Sequence, residues 1–213
     1  VVDVHRRIIL AQKQRMDVVQ TIIDHYGYTD YLELGYGKGW TFESVKCQNK
    51  TAVESDNRYF SVAQKLNPIE DGKNIFNMTT DEFFESHAHE YRFDIIFIDA
   101  DHTKEQVKID IQNSLEVIDS KGTVVLHDMN PPDGRHLGKE LCGDGWEAFA
   151  KLRTTRKDLN MFTVPDDCGV GVIQKGSQEL YEGEIESGWN FFSENREEVM
   201  NIVEFNKITE NLV

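Results

Sequence analysis

Acidic residues and histidines follow two apolar runs of the sequence, at the point where each run ends. Asp99, Asp101 and His102 come after the first run, and His127 and Asp128 come after the second. Carboxylates grouped in this way suit proton transfer or the binding of a hard cation, which prefers oxygen ligands. Histidine has an ordinary pKa of about 6.5 and can therefore accept a hydroxyl proton near neutral pH. His102, Asp99 and Asp128 are accordingly the candidate catalytic residues.

The metal part of this hypothesis rests on Asp99 and Asp128, with His127 and Asn130 as further candidate ligands. Two carboxylates at short range repel each other, and protonation, a histidinium or a divalent cation can each offset that repulsion. Mg²⁺ is favoured because it would also lower the pKa of an acceptor hydroxyl. Protonation, or a histidinium formed by His102 or His127, stays open as an alternative.

Residues 33–39, which read Glu-Leu-Gly-Tyr-Gly-Lys-Gly, form a second candidate site. Glycines permit positive φ and let a ligand approach the backbone, and a following helix would offer free N–H donors. Gly39 comes one position too early for the dinucleotide fingerprint, which would place its third glycine where Trp40 stands. Glu33 would repel a phosphate but suits a cationic amino group. Glu54, at the end of the next apolar run, suits ribose hydroxyls.

Positioning these residues requires a sheet, and five apolar runs have the length of strands buried in a parallel sheet. They are residues 31–34, 50–54, 73–76, 93–98 and 123–126. Segments with helical spacing lie between them, so the chain is predicted to fold as a doubly wound α/β protein. Two further runs, 159–164 and 169–173, are joined by too short a link for a parallel crossover and predict a closing antiparallel hairpin.

The organisation of the chain predicts a single domain over residues 1–213, since no repeat or linker divides it. Apolar positions at helical spacing predict an N-terminal helix within residues 1–26. Residues 27–175 form the predicted core. Residues 176–213 are expected to form a C-terminal helical extension, with its main helix at 194–205.

The composition excludes several kinds of partner. The chain carries 23 Lys and Arg against 38 Asp and Glu, a net charge of −15, which repels nucleic-acid phosphates and anionic membrane surfaces. No apolar run approaches the roughly 20 residues that span a bilayer, and the first residues are charged throughout, unlike a signal peptide. Three widely spaced cysteines without a Cys-x-x-Cys pair indicate a reducing compartment. We therefore expect a cytoplasmic protein, and association into a homo-oligomer stays open.

The motifs resemble those of class I S-adenosylmethionine-dependent methyltransferases, whose first motif has the form E-x-G-x-G-x-G. The closer resemblance is to a small methyltransferase group often found with sugar and polysaccharide biosynthesis. It covers about residues 20–175 and is carried by the segments YLELGYGKGWTF, FDIIFIDADHTKEQVKIDIQNSLEVI, GTVVLHDMNPP and GVGVI. The resemblance implies a Rossmann-like sheet of seven strands, mostly parallel, with a final antiparallel hairpin.

The resemblance also implies which residues hold the cofactor S-adenosylmethionine. They are Glu33, Gly35, Tyr36, Gly37, Gly39, Glu54, Thr80 and Asp99. Thr80 lies in the loop where the family contacts adenine. Metal-dependent O-methyltransferases of the catechol type are similar as well: their acid after the fourth strand and their Asp-Asn pair after the fifth match Asp99 and Asp128, although Met129 replaces the Asn. Their catalytic lysine stands where this chain has His102.

We therefore expect an enzyme that transfers a methyl group from S-adenosylmethionine to a hydroxyl of a small polar acceptor, a sugar or a sugar nucleotide. Two alternatives stay open: a protein that binds S-adenosylmethionine or a nucleotide without catalysis, and an NAD-dependent sugar oxidoreductase. The presence of Asp99, His102 and Asp128 weighs against the first. The early third glycine and the lack of a Tyr-x-x-x-Lys pair weigh against the second.

Overall fold

The computed structural model describes residues 13–66 and 72–213. The strands are β1 (Asp30–Leu34), β2 (Asn49–Val53), β3 (Lys73–Phe76), β4 (Phe93–Ile98), β5 (Ile118–Leu126), β6 (Leu159–Val164) and β7 (Val170–Lys175). The α-helices are α1 (Arg15–Tyr26), α2 (Trp40–Ser44), α3 (Asn57–Leu66), α4 (Thr80–Ser86), α5 (Lys104–Val117), α6 (Trp146–Thr155), α7 (Trp189–Val199) and α8 (Ile208–Asn211). Among the described residues, none of these helices has the length and apolar character needed to cross a membrane.

The seven strands form one sheet in the order β3-β2-β1-β4-β5-β7-β6. β1 pairs in parallel with β2 and β4, and β5 continues the parallel set beside β4. β7 runs antiparallel to both β5 and β6. The predicted doubly wound α/β fold with a closing antiparallel hairpin is thereby confirmed. The link between β6 and β7 permits only a hairpin, because a parallel crossover needs roughly a dozen residues.

The strands that carry the predicted site end at the same level. Leu34 of β1 pairs with Val53 of β2 and with Ile98 of β4, and Ile98 pairs with Leu126 of β5. The next residue of each strand therefore leaves the sheet at one edge, its carboxyl edge. Polar groups that are distant in the sequence converge there, as expected for parallel α/β sheets.

Both faces of the central strands are buried, which accounts for their continuous apolar sequences. Leu32, Ile96 and Val124 pack on one face of the sheet, and Phe97 and Val125 pack on the other. All five are completely buried. Each such side chain stabilises the fold by about 1.5–3 kcal/mol. The packed core therefore fixes the position of the carboxyl edge and of the residues that directly follow the strands there.

The N-terminal helix predicted within residues 1–26 is present as α1, Arg15–Tyr26, and the earlier part of that prediction lies outside the described residues. α1 begins where the backbone N–H of Gln14 donates to Asp17 Oδ2 at 2.9 Å. It ends at Gly27, as predicted, in the left-handed region with a φ of 69°.

The helix predicted at 194–205 is wrong in its bounds, because α7 spans Trp189–Val199. Asn201 has a positive φ of 48°, which takes the chain out of the helix. The Val203 N–H then donates to the carbonyl of Thr163 in β6 at 2.9 Å. Hydrogen bonding to an edge strand thus takes the place of the last predicted helical turns.

Candidate active site

The glycine loop that follows β1 adopts backbone conformations that favour glycine. Gly35, Gly37 and Gly39 have φ values of 92°, 52° and 78°. At Gly35 space also excludes a side chain, because a Cβ would lie 2.2 Å from the carbonyl oxygen of Asp99. At Gly37 no atom of the described chain lies within 4 Å of the position that a Cβ would take. The loop is therefore packed against the end of β4 on one side and open to a ligand on the other.

Glu54, directly after β2, holds this loop in place. Its Oε2 accepts a hydrogen bond from the Gly37 N–H at 2.8 Å, and its Oε1 accepts one from the Asp56 N–H at 2.7 Å. Glu54 is 7% exposed and lines a cavity of about 390 Å³, the smaller cavity, together with Thr80 and Gln106. A carboxylate oxygen accepts more than one hydrogen bond, so Glu54 can also bind hydroxyl groups in that cavity.

A larger cavity of about 520 Å³ lies on the other side of the loop and is lined by Glu33, His102 and Asp128 among other residues. The two cavities meet along a shared wall. That wall consists of Gly35, Gly37, Tyr59 and Asp99. A ligand extended along the glycine loop therefore has one end beside Glu54 and the other end beside Glu33 and His102.

Glu33 lies within β1 and is 2% exposed. The Tyr31 hydroxyl donates a hydrogen bond to Glu33 Oε2. Burial raises the pKa of Glu33 to about 8, although that hydrogen bond and the Lys50 charge act in the opposite direction. Its carboxyl group is therefore mostly uncharged at neutral pH. A cationic group entering the larger cavity would favour its ionised form.

Tyr36 reaches the wall of the larger cavity, but its side chain is engaged by the protein itself. It is 2% exposed, and its hydroxyl donates to Glu43 Oε1 at 2.8 Å. Its ring lies 5.4 Å from that of Phe42. A Cβ at Gly39 would collide with this ring. Tyr36 and Gly39 therefore shape the loop from within.

Asp99 and Asp128 each contact both His102 and His127, and we call these four residues the acid–histidine cluster. Asp99 Oδ1 lies 3.5 Å from His102 Nε2 and 3.2 Å from His127 Nδ1. Asp128 Oδ2 lies 3.4 Å from His102 Nδ1 and 3.3 Å from His127 Nδ1. The structure thus brings the predicted catalytic residues together, because β4 and β5 are neighbours in the sheet.

Two further residues bind this cluster from outside the strand ends. Arg15, at the start of α1, donates from Nη1 to Asp99 Oδ2 at 3.0 Å and from Nε to Asp167 Oδ2 at 2.8 Å. Asp167 lies in the turn between β6 and β7, and its carbonyl oxygen is 2.8 Å from His127 Nε2. The helix, the hairpin turn and the cluster are therefore joined by charged hydrogen bonds.

These contacts determine the charge state of the cluster. The hydrogen bond with Asp99 raises the pKa of His102 to about 9. Burial alone would lower the pKa of His127, but the charge of Asp99 and hydrogen bonds to its acidic neighbours hold that pKa well above the usual range. Burial alone would raise the pKa of Asp99, but His127, His102 and Arg15 hold it well below the usual range. Histidinium ions, one of the predicted alternatives, therefore offset the charge repulsion, and Arg15 adds to their effect.

A hard cation between Asp99 and Asp128 would compete with contacts that the chain already makes. The ligand atoms of Asp99, His102 and Asp128 lie within 4.8 Å of one another. Both carboxylates already contact His102 and His127, so such a cation would have to replace some of these contacts. Asn130, a further candidate ligand, uses its amide oxygen to accept a hydrogen bond from Arg196 Nη1 at 3.2 Å. Binding of Mg²⁺ by Asp99 and Asp128 therefore stays a prediction.

The glycine loop and the acid–histidine cluster both lie in a part of the chain that is similar to known proteins. Residues 32–129 match the family model of a methyltransferase domain. No curated protein sequence matches the chain.

Several solved structures share the fold. A candidate caffeoyl-CoA O-methyltransferase from Staphylococcus aureus has a TM-score of 0.62 at 15% identity, over 82% of this chain and 92% of that one. An O-methyltransferase from Bacillus cereus in complex with S-adenosylhomocysteine has a TM-score of 0.59 at 15% identity, over 82% and 88%. The O-methyltransferase TomG of tomaymycin synthesis from Streptomyces achromogenes, in complex with S-adenosylmethionine, has a TM-score of 0.59 at 13% identity, over 76% and 80%. The fold is that of the Rossmann-like methyltransferases.

Some residues of the site lie outside the methyltransferase-domain match and were missed by the sequence analysis. Arg15 and Asp167 belong to no motif, because their roles arise only when α1 and the β6–β7 turn pack beside the cluster. Cys142 and Cys168 are far apart in the sequence, yet their sulfur atoms and a carboxylate oxygen of Asp128 lie within 4.8 Å of one another. Spacing along the chain gave no signal for either grouping.

Proposed function

We propose that the chain transfers a methyl group from S-adenosylmethionine to a hydroxyl of a small polar acceptor. The observation that carries this proposal is the shared wall of the two cavities, since the glycine loop bounds both and Asp99 lies where they meet. A cofactor along the loop would present its reactive end to the acid–histidine cluster. The methyltransferase-domain match supports the same chemistry, as does the fold of O-methyltransferases that bind S-adenosylmethionine or its product.

Each predicted cofactor residue has a role in this proposal. Glu54 accepts hydrogen bonds from the ribose hydroxyls, and Thr80 borders the adenine at the far end of the smaller cavity. Glu33 ionises and pairs with the amino group of the methionine moiety. Asp99 borders the sulfonium centre from the end of β4. The remaining residues shape the loop and expose its backbone; they are Gly35, Tyr36, Gly37 and Gly39.

When bound, S-adenosylmethionine supplies the methyl group, which passes to the acceptor oxygen while the methyl–sulfur bond breaks and sulfur keeps the electron pair. His102 accepts the hydroxyl proton. Because its pKa is about 9, most His102 is protonated at neutral pH before the cofactor binds. A sulfonium charge nearby lowers the pKa of a histidinium, so cofactor binding itself favours the neutral base. Nδ1 of His102 contacts the carbonyl of Leu141, which can only accept a hydrogen bond, so Nε2 is the nitrogen that accepts the hydroxyl proton.

The lining of the larger cavity supports a sugar or a sugar nucleotide as the acceptor. Lys38, His136 and Glu140 line it and offer hydrogen-bonding groups to a hydroxyl-rich molecule. Trp40, which is 67% exposed and also lines it, offers an aromatic face against which a sugar ring can pack. Alignment of such an acceptor with the methyl group is the main contribution the chain can make to an in-line displacement.

The proposed setting is cytoplasmic, with small molecules as partners. All three cysteines are free, which suits a reducing compartment. The net charge of −15 disfavours nucleic acid as a partner. Homo-oligomer formation stays open, and sedimentation of the full chain would decide it.

Calorimetry tests cofactor binding. S-adenosylmethionine and S-adenosylhomocysteine should bind the wild-type chain, and Glu54→Ala should lower affinity roughly ten- to hundredfold, since two ribose hydrogen bonds are worth about 1–3 kcal/mol. Glu90→Ala, a change at an exposed position, is the control. Tighter binding of NAD than of S-adenosylmethionine would overturn the proposal in favour of an oxidoreductase.

Formation of S-adenosylhomocysteine in the presence of sugar nucleotides and free sugars tests the transfer step. Turnover should depend on the acceptor and should collapse in Asp128→Asn. Binding of S-adenosylmethionine without turnover for any member of the acceptor panel would instead support a non-catalytic binding protein.

Metal assistance through Asp99 and Asp128 stays a prediction. A bound cation should raise the thermal midpoint in proportion to the logarithm of its concentration. Mg²⁺ should produce this rise, and Asp99→Asn and Asp128→Asn should each abolish it. No rise with Mg²⁺ would leave His102, His127 and Arg15 as the groups that balance the two carboxylates.

A further inference from the structure

Two thiols meet the carboxylate of Asp128 at the side of the acid–histidine cluster, and the proposed methyl transfer uses neither thiol. Sγ of Cys142, Sγ of Cys168 and an oxygen of Asp128 all lie within 4.8 Å of one another. Asp128 and Cys142 are buried, Cys168 is half-buried, and both cysteines are free thiols. All three residues line the larger cavity.

The three side chains come from separate segments that backbone hydrogen bonds hold together. The Asn130 N–H, two residues after Asp128, donates to the carbonyl of Cys168 at 2.6 Å. The Gly145 N–H, three residues after Cys142, donates to the carbonyl of His102 at 2.9 Å and so joins the loop of Cys142 to the acid–histidine cluster. The grouping therefore exists in the folded chain before any ligand enters.

The backbone is strained where this grouping is built. In the described part of the chain four residues other than glycine have a positive φ. They are Asp128 at 65°, Asp167 at 51°, Cys168 at 60° and Asn201 at 48°. Side chains rarely adopt this region, and strained residues tend to collect at binding sites. Two of the four carry donor atoms of this grouping.

We propose that Asp128, Cys142 and Cys168 form a binding site for a thiophilic divalent cation, above all Zn²⁺, with an open fourth position toward the larger cavity. Zinc takes four ligands in a tetrahedron, with Zn–S near 2.3 Å and Zn–O near 2.0 Å, which places ligand atoms roughly 3.5–3.8 Å apart. The observed grouping is compact enough for this geometry after small adjustments. Three protein ligands and one open position are the pattern of zinc sites that bind a small molecule.

The surroundings favour zinc over a hard cation. Two sulfur ligands select soft and borderline metals, whereas Mg²⁺ requires oxygen. On coordination each thiol loses its proton to solvent, so two thiolates and a carboxylate face the cation. The Asp128 carboxylate is oriented by His102 and His127, which lie 3.4 Å and 3.3 Å from its Oδ2. Contacts that orient a ligating carboxylate in this way strengthen metal binding. The site does not depend on the proposed function, because its ligands and its test involve no methyl transfer.

Cobalt titration of the full chain tests this site directly. The chain is reduced, freed of metal with a chelator and titrated with Co²⁺ without oxygen. We expect one equivalent to bind with a thiolate-to-cobalt charge-transfer band and the intense visible absorption of four-coordinate cobalt. Zn²⁺ should then displace the cobalt and abolish both signals.

Single substitutions identify the ligands. Cys142→Ser and Cys168→Ser should each weaken cobalt binding by on the order of a hundredfold or more. Cys47→Ser is the matched control and should bind as wild type, since the Cys47 thiol lies 3.6 Å from the Tyr28 carbonyl, outside this grouping. Asp128→Asn should weaken binding while the charge-transfer band per bound cobalt stays. Circular dichroism confirms that each variant is folded.

Alkylation of the wild-type chain provides a measurement that needs no variant. Bound Zn²⁺ should slow iodoacetamide modification of Cys142 and Cys168 but not of Cys47, as followed by mass spectrometry. The proposal is overturned if the fully reduced chain gives no cobalt–thiolate band, or if the band survives both serine substitutions. It is also overturned if Cys142 and Cys168 form a disulfide in air and bind no metal after reduction, which would make them a redox pair.

Discussion

The guanidinium of Arg15 lies 3.0 Å from the carboxylate of Asp99, although 84 residues separate them in the sequence. The same side chain contacts Asp167, across 152 residues. Arg15 thereby links the start of α1 to the carboxyl edge of the sheet and to the β6–β7 turn. Its positive charge is part of what allows an acid at that edge to stay ionised.

Arg15→Ala should destabilise the chain, because it removes a positively charged partner of both Asp99 and Asp167 in a half-buried place. We expect the free energy of unfolding in urea to fall by about 1–3 kcal/mol, below the full value for a completely buried pair. Arg58→Ala is the matched control, since Arg58 pairs with Asp56 at the exposed surface. Equal effects of the two substitutions would contradict the proposed anchoring role of Arg15.

Binding of S-adenosylmethionine should release a proton from Glu33. Its pKa of about 8 leaves the carboxyl group mostly protonated at pH 6.5, and pairing with an amino group requires it to ionise. Calorimetry at pH 6.5 in buffers of different ionisation enthalpy should show release approaching one proton per cofactor. Glu33→Gln should remove this release and weaken binding. If Glu33→Gln releases the same number of protons as the wild type, the released proton comes from another group.

The same residue should affect stability, with a definite sign. Because the folded pKa of Glu33 lies above its ordinary value of 4.5, its contribution to stability is fully present below pH 4.5 and is lost as the pH rises through 8. The free energy of unfolding of the wild type should therefore fall with pH over this window relative to that of Glu33→Gln. Parallel profiles for the two chains would show that burial does not hold Glu33 protonated.

His102 should govern the pH dependence of turnover. Its pKa of about 9 in the ligand-free chain means that the neutral base becomes more abundant as the pH rises from neutrality. We expect kcat/KM to rise with pH and to level off near 9. His102→Gln should lower kcat/KM about a hundredfold or more and flatten the profile. His89→Gln, a change at an exposed histidine, should leave kcat/KM and its pH dependence unchanged.

The charge of His102 also predicts a stability profile. Since its folded pKa lies above the ordinary value of 6.5, its stabilising contacts with Asp99 and Asp128 are fully present below pH 6.5 and are lost as the pH rises through 9. Unfolding in urea from pH 6 to pH 9.5 should show this loss in the wild type. If the same loss of stability with rising pH occurs in His102→Gln, His127 or another group causes it.

Gly35 and Gly37 should respond differently to the same substitution. Gly35→Ala places a Cβ 2.2 Å from the Asp99 carbonyl oxygen, so we expect a loss of about 2–5 kcal/mol in the free energy of unfolding. Gly37→Ala meets open space within the chain and should lose only about 1–2 kcal/mol, from its positive φ. Its methyl group should still obstruct the cofactor and lower affinity at least tenfold. Full cofactor affinity in Gly37→Ala would place the ligand elsewhere.

The strands and helices that carry the site could be predicted from the amino-acid sequence alone. The apolar runs at residues 93–98 and 123–126, and the short hairpin link, follow local rules of periodicity and loop length, so the sheet could be predicted from them. Glu54 and Asp99 could be placed at one edge because parallel strands all point the same way. The candidate site was therefore predictable to the extent that strand ends define it.

Which side chains meet at that edge depends on how distant segments of the chain pack together. Arg15 and Asp167 reach the acid–histidine cluster because α1 and the hairpin turn pack beside it, and the thiols of Cys142 and Cys168 meet because two loops fold together. Asn130, at a strand end as predicted, turns its amide to Arg196 instead. Contacts of this kind depend on the packing of segments far apart in the chain, and local sequence patterns carry no information about that packing.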